Sequence, residues 1–493
     1  PRAAAVTPLI KSEKRIVVGD QVELPRVYLA WITEPAFSQA DAEFDLIARI
    51  LGGSKSSRLY KTLVYQDRIA QDVSAQQYSL ALGSVFAIEA TAKTGIHAQQ
   101  LENAIRKELE KFQKDGPELE ELERARNIIE ANIIRGLENL GGFGGVADRL
   151  NQYNHFVGDP GFLPGDLRRY SLATPESLHA LARSRLKREA GVVVYGVPGP
   201  KVVHDVPKAP PSTKTDFPKE PPLPGQEWRR RPPMPGPAPA PSLPVPGSFQ
   251  LRNGLQVFLV EQHSLPIVSA NLIVLSGGDR NPPDLPGLAS FTARMLDEGT
   301  AQRTSLEIAA AADHIGASLA TGSSMDLSYI NVRTLKKNVD AAFELVSDVL
   351  LHPAFALAEI ERLRNDRLTH ILQQKDSPGV LAAKVFFNEV YGSAHPYGFT
   401  DVGTEGSNRA VTRDHLVRFY RDGYLAANSA LVVSGDIREY ELRNLARTYF
   451  GEWTTGESKY EAPPAAGSTD RRIVIVEKPG ATQTALRIGH LGT

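Results

Sequence analysis

Activating a water on a divalent metal takes at least two neutral imidazoles on one helix face, which i and i+4 spacing supplies, and a nearby carboxylate to accept the proton. The chain has eleven histidines, His97, His155, His179, His204, His263, His314, His352, His370, His395, His415 and His490, and no two stand four apart. It has no cysteine, which excludes disulfides, thiolate-held metal and thiol catalysis. Gly53 to Ser57 lacks the second glycine of a nucleophile elbow. Gly141 to Gly145 lacks the Lys-Ser/Thr of a phosphate loop and reads as a break between two helices. No nucleophile can be matched with a base. What remains is the helical stretch Gly287 to Thr300, where Ser290 and Arg294 hold the i, i+4 spacing with a weak oxygen and a permanent cation.

The elements that position these residues are legible from periodicity. At 493 residues the chain exceeds one hydrophobic core, and a net charge of −1 gives no field favouring nucleic acid or anionic membrane. No apolar run reaches the length of a membrane span, and Pro1 to Val6 has no signal-peptide core. Prolines crowd residues 205–247, predicting an extended spacer between two globular parts. Trp228 with Arg229, Arg230 and Arg231 lies inside it and reads as a solvated basic tract.

The two parts carry the same pattern, an internal repeat. In the first, strands over Lys14 to Val18 and Arg26 to Ile32 precede helices over Ala40 to Leu51 and Ser57 to Tyr65. Strands near Gln71 to Tyr78 and Ser84 to Ala92 follow, then a helix with Leu101, Ile105, Leu109 and Phe112 on one face. A long helix over Glu118 to Leu140, another over Pro175 to Leu186 and a strand over Gly191 to Tyr195 close it. In the second, strands over Leu255 to Val260 and Ile267 to Leu275 lead into the Gly287 helix. Thr304 and Glu307 form a capping box opening a helix that Gly316 ends. Strands near Ala317 to Thr321 and Leu327 to Arg333, helices to His352, over Leu357 to Gln374 and over Arg413 to Tyr424, and the strand Ser429 to Val433 complete it. The expected class is α+β, two homologous units joined by the proline-rich linker, each a mostly antiparallel sheet packed against helices. Arg471 to Val476 and Gln483 to Gly489 read as the first strands of a further unit, with the polypeptide expected to continue.

Around Gly287 to Thr300, at Asp41 to Gly53 and at Ser56-Ser57-Arg58-Leu59-Tyr60, the chain resembles the pitrilysin/insulinase zinc metallopeptidases. Their zinc helix reads Gly-x-Ala-His-x-x-Glu-His-Met-x-x-x-Gly-Thr, and here Ser290, Ala293 and Arg294 occupy the positions of the first histidine, the glutamate and the second histidine. Counting back from Asp376-Ser377-Pro378, His370 takes the place of the third ligand, where it reads as a helix-surface histidine. An Arg/Tyr pair that helps hold substrate and oxyanion in the family matches Val64 and Gln71, neither able to do that work. The Ser56 to Tyr60 stretch is expected to cap and pack its helix.

The family's domains come in pairs that face each other across a peptide chamber. The resemblance therefore implies residues 1–204 as a second-domain-like repeat without a zinc motif, 205–247 as linker, 248–468 as a degenerate zinc-domain-like repeat, and 469–493 as the start of another domain. It implies no catalytic, cofactor or metal residue in this chain, with zinc expected in a first domain not included here. The expected function is the non-catalytic central portion of a zinc metalloendopeptidase, enclosing a peptide or unfolded protein. Its expected partners are the first and fourth domains or a catalytic subunit, with no nucleic acid or membrane span. The alternative is a scaffold or binding subunit like the inactive subunit of mitochondrial processing peptidase. A periplasmic location is implied by resemblance alone.

Overall fold

The computed structural model describes residues 10–202, 242–456 and 471–492 except 482, with a few positions between 225 and 240. Most of the proline-rich segment, including Trp228 to Arg231, lies outside the described residues.

The first sheet is built from β1 (Lys14–Asp20), β2 (Arg26–Thr33), β3 (Ala70–Tyr78), β4 (Ser84–Ala92) and β5 (Gly191–Pro198). Around it lie α1 (Gln39–Gly52), α2 (Ala98–Asp115), α3 (Leu119–Gly136), α4 (Val146–Gln152), α5 (Leu163–Leu172) and α6 (Pro175–Arg185). Strand order is β1-β5-β2-β4-β3, with β1 and β5 parallel and the other neighbours antiparallel. Alternation along β2 buries Val27, Leu29 and Trp31 against the helices. The apolar stripe Leu101, Ile105, Leu109 and Phe112 of α2 enters the same core.

The second sheet comprises β6 (Gly247–Gln250), β7 (Gln256–Glu261), β8 (Ile267–Val274), β9 (Ser318–Ser323), β10 (Ser328–Leu335) and β11 (Ser429–Gly435). Its helices are α7 (Leu288–Met295), α8 (Ser305–His314), α9 (Val339–Leu351), α10 (Leu357–Gln373), α11 (Pro378–Tyr391), α12 (Glu405–Ala410), α13 (Arg413–Gly423) and α14 (Glu439–Phe450). Its order is β6-β7-β11-β8-β10-β9. Setting β6 aside, the sheet repeats the first one strand for strand, with β7 and β11 parallel as β1 and β5 are. The fold is α+β, two mixed, mostly antiparallel sheets each with its own core.

Several elements depart from expectation. The helix from Glu118 stops at Gly136, and Leu137 to Asn139 wind into i to i+3 turns before the glycine tract. Helix after Ser57 widens into a π-helical turn over Tyr60–Gln66. Arg471 to Val476 and Gln483 to Gly489 form no strand: among the described residues no strand pairs with them to supply the ladder that an extended segment needs. Instead this tail follows α10 and α11, with Arg472 paired to Glu389 at 2.9 Å and Lys478 donating to the Lys375 carbonyl at 2.8 Å.

Candidate functional site

α7 enters from Gly287, which sits at φ +91° with its Cα so close to the next loop that a Cβ would lie 2.5 Å from the Val402 carbonyl oxygen. Only glycine fits there. One turn on, the buried Ser290 hydroxyl donates to the Asp401 carbonyl at 2.5 Å, so its proton is committed to backbone. Ala293 is fully buried, and Arg294 projects into solvent.

From α10, Arg367 reaches this turn. Its guanidinium donates to the Gly287 carbonyl at 3.0 Å, the Ser290 hydroxyl at 3.1 Å, the Val402 carbonyl at 2.9 Å and the Asn408 side-chain oxygen at 2.6 Å, above the Phe291 ring at 4.8 Å. Burial and the charge of Arg294 both disfavour its cation, but its donors are fixed to neutral acceptors in place of a counter-ion. His370, one turn further along α10, is exposed and lies 3.1 Å from the Gln374 amide. Burial of part of its ring, then Arg294, lower its pKa.

This donor set does not fit zinc. One oxygen is tied to a carbonyl, one position is a methyl, one is a cation, and a buried guanidinium stands 3.1 Å from Ser290. Among the described residues no group of three or more His, Asp or Glu side chains is placed to hold a metal. The other two positions are also structural. Val64 is buried in the π-helical turn, and Gln71, on β3, approaches the Asp366 carbonyl of α10 at 3.4 Å.

Sequence reasoning missed a second polar constellation, where the two sheets' helices meet. Lys55 sits between Asp297 at 2.8 Å and Glu298 at 3.0 Å, both at the end of α7. Arg362, 2% exposed, pairs with Glu298, with Glu359 at 2.7 Å and with Asp366 at 3.0 Å. Lys93 reaches Asp366 at 2.8 Å, and Tyr65 donates to Glu359 at 2.7 Å. Ser54 and Ser56 both donate to Asp313 of α8, at 2.6 and 2.5 Å. The serine-rich stretch expected to cap a helix instead ties one half to the other through Ser54 and Ser56, while Ser57 donates to the Ser54 carbonyl at 2.7 Å. Burial opposes ionisation of Glu298, but Lys55 and Arg362 outweigh it and hold its carboxyl at about 2. α3 adds neutral contacts: Asn127 donates to the His314 carbonyl at 2.6 Å, and Arg135 to those of Gly316 and Arg333 at 3.2 and 3.1 Å. Beside them Ala131 packs on Ile267 and Leu335.

Two α+β units that repeat one strand order, with no metal-holding group among the described residues, define the class of fold. The chain belongs to the M16 (insulinase) peptidase family. The model described as "Peptidase M16 inactive domain" matches residues 1–129 and 410–493, and that described as "Insulinase (Peptidase family M16)" matches 256–391. An uncharacterized zinc protease of Rickettsia bellii is 28% identical over 214 residues, 43% of this chain and 52% of that protein. The probable mitochondrial-processing peptidase subunit beta of Schizosaccharomyces pombe is 26% identical over 214 residues, 43% of this chain and 46% of that one. A Pseudomonas fluorescens crystal structure described as a peptidase M16 inactive domain is 26% identical, covering 44% of this chain and 53% of that chain at a TM-score of 0.42. The chain spans about half the length of the curated relatives it matches. Among the described residues no helix is long and apolar enough to cross a membrane.

Proposed function

We propose that this chain is a non-catalytic part of an M16 zinc metalloendopeptidase, forming a wall of the peptide chamber while the zinc chemistry is supplied by another domain or a partner subunit. The observation that carries this reading is what stands on α7 and α10 at the positions matched to the three ligands and the glutamate base: a hydroxyl, a guanidinium, an exposed imidazole and, for the base, a methyl. In this reading residues 1–204 and 248–468 act as two units joined through 205–247. An extended peptide is held by backbone hydrogen bonds along a sheet edge, a mode that tolerates varied sequences. β3 and β9 end the two sheets and offer such edges. A periplasmic setting belongs to the same proposal and rests on the family resemblance.

The test is incubation of the purified chain with denatured peptides, with and without a chelator. Binding without cleavage is the expected result. Cleavage by this chain alone, insensitive to chelation, would overturn the proposal. The similarity to a processing-peptidase subunit favours a second reading, a scaffold subunit that binds a catalytic partner and no peptide. Co-purification with a zinc-bearing partner and no measurable peptide affinity would select it.

A further inference from the structure

We propose that the cavity between the two halves binds a small zwitterion, a free α-amino acid or dipeptide with an apolar side chain, whose carboxylate is received by Arg49 and whose ammonium is received by Asp313. The site goes beyond the peptide-chamber reading and is independent of it.

A cavity of about 300 Å³ opens where the end of α1, α3, α8 and the start of β9 meet. Small-molecule sites gather at such junctions between domains, and this volume stands at the lower end of their range. Part of the wall is apolar, from Ile128, Ile308, Ala312 and Leu319. The charged residues lining it are Arg49, Lys55 and Arg135 on the first half and Asp297 and Asp313 on the second. Three of these are committed: Lys55 and Asp297 to each other, Lys55 to Glu298 as well, Asp297 also to Thr321, and Arg135 to the Gly316 and Arg333 carbonyls. Arg49 and Asp313 remain, and both also line a smaller cleft that adjoins the cavity.

Both have capacity to spare. Arg49 uses one of its five N–H donors, on the Gly53 carbonyl at 3.3 Å. Asp313 accepts from Ser54 and Ser56 on a single oxygen, Oδ2, at 2.6 and 2.5 Å, and no described residue donates to its Oδ1. The aspartate is 9% exposed, and burial pushes its carboxyl up against the pull of the two serines, so a cation beside Oδ1 would favour the charged form. No ion pair joins Arg49 to Asp313, although they border the same space. A simple anion would suit Arg49 and stand against Asp313, and a simple cation would do the reverse. A molecule carrying both charges a few atoms apart satisfies each: the guanidinium fork matches its carboxylate, and Asp313 takes its ammonium. An apolar side chain then covers the aliphatic part of the wall. Bound in this way, the ligand bridges α1 of one half to α8 of the other.

The test is isothermal titration of the whole chain with leucine, alanyl-leucine, leucinamide and N-acetylleucine. Leucine or the dipeptide is expected to bind about tenfold more tightly than leucinamide, which lacks the carboxylate, and than N-acetylleucine, which lacks the ammonium. Whichever zwitterion binds better sets the length of the ligand. Arg49→Gln and Asp313→Asn are each expected to lose about tenfold in affinity, while Arg49→Lys keeps part of it. The asparagine retains an oxygen for Ser54 and Ser56, and circular dichroism checks the fold of each variant. Saturating ligand is expected to slow amide exchange in α8 and in the last turn of α1. Absence of binding by both zwitterions at millimolar concentration overturns the site, as does equal binding of the two derivatives. Affinity that survives either substitution, or slowed exchange confined to other elements, overturns it too. Each of these outcomes leaves the chamber reading untouched.

Discussion

At the scale of single residues, the sharpest consequence of the α7 and α10 geometry concerns Arg367, whose guanidinium fills the space beside Ser290 and satisfies two carbonyls. Arg367→Met leaves the Asn408 side-chain oxygen without its donor and takes one donor from each carbonyl, which keep Asn408, Ser290 and Phe291 as donors, and is expected to cost about 2 kcal/mol in urea unfolding. The same residue obstructs any simple restoration of the metal site. A Ser290→His, Ala293→Glu, Arg294→His, His370→Glu variant is expected to bind far less than one zinc per chain by elemental analysis, because a buried cation remains where a dication must enter. Asp45 gives a pH-dependent case. Burial, then the nearby charge of Asp41, push its carboxyl up to about 7 while Tyr170 donates to it at 2.7 Å. A folded pKa above the unfolded one means that the stability it brings is complete below about pH 4 and is lost as pH rises through 7. Asp45→Asn is therefore expected to raise stability at pH 8, on the order of 1 to 3 kcal/mol, and to give little or no gain at pH 4.

At the scale of elements, local rules explain most of what was legible in advance. Thr304 and Glu307 form the reciprocal cap that their spacing predicts, Thr304 accepting from the Glu307 amide at 3.3 Å, and Thr304→Ala is expected to lower the melting temperature through a loss of about 1 kcal/mol. The stripe on α2 and the alternation on β2 are equally direct, because burying one face imposes a period on sequence. α11 was not anticipated, and none of its residues is fully buried, so no period marks it. The tail strands failed for the complementary reason. Arg471 to Val476 has strand-like residues, but a strand is a property of two segments and one segment cannot announce its partner. At the candidate site the residue identities on α7 were readable from spacing. The contact from Arg367, seventy-seven positions away from Ser290, was not.

At the scale of the whole molecule, the ionic seam around Lys55, Glu298 and Arg362 fixes how the halves meet. Because the Glu298 carboxyl is depressed to about 2, its contribution is present above about pH 4.5 and disappears as pH falls toward 2. Amide exchange in α3 and α8 is therefore expected to quicken in acid before the two sheets lose protection. At neutral pH, Lys55→Met is expected to loosen the same contacts while Glu298 keeps Arg362, a coupling of about 1 to 3 kcal/mol in a double-mutant cycle with Glu298→Gln. The seam also responds to temperature in an unusual direction. Stripping water from charged groups becomes less costly on warming, whereas apolar cohesion does not strengthen in proportion. Chilling should thus be the gentler way to part the two halves, each retaining its own oily interior, and a joint built of ions becomes relatively firmer in a warm cell than on ice.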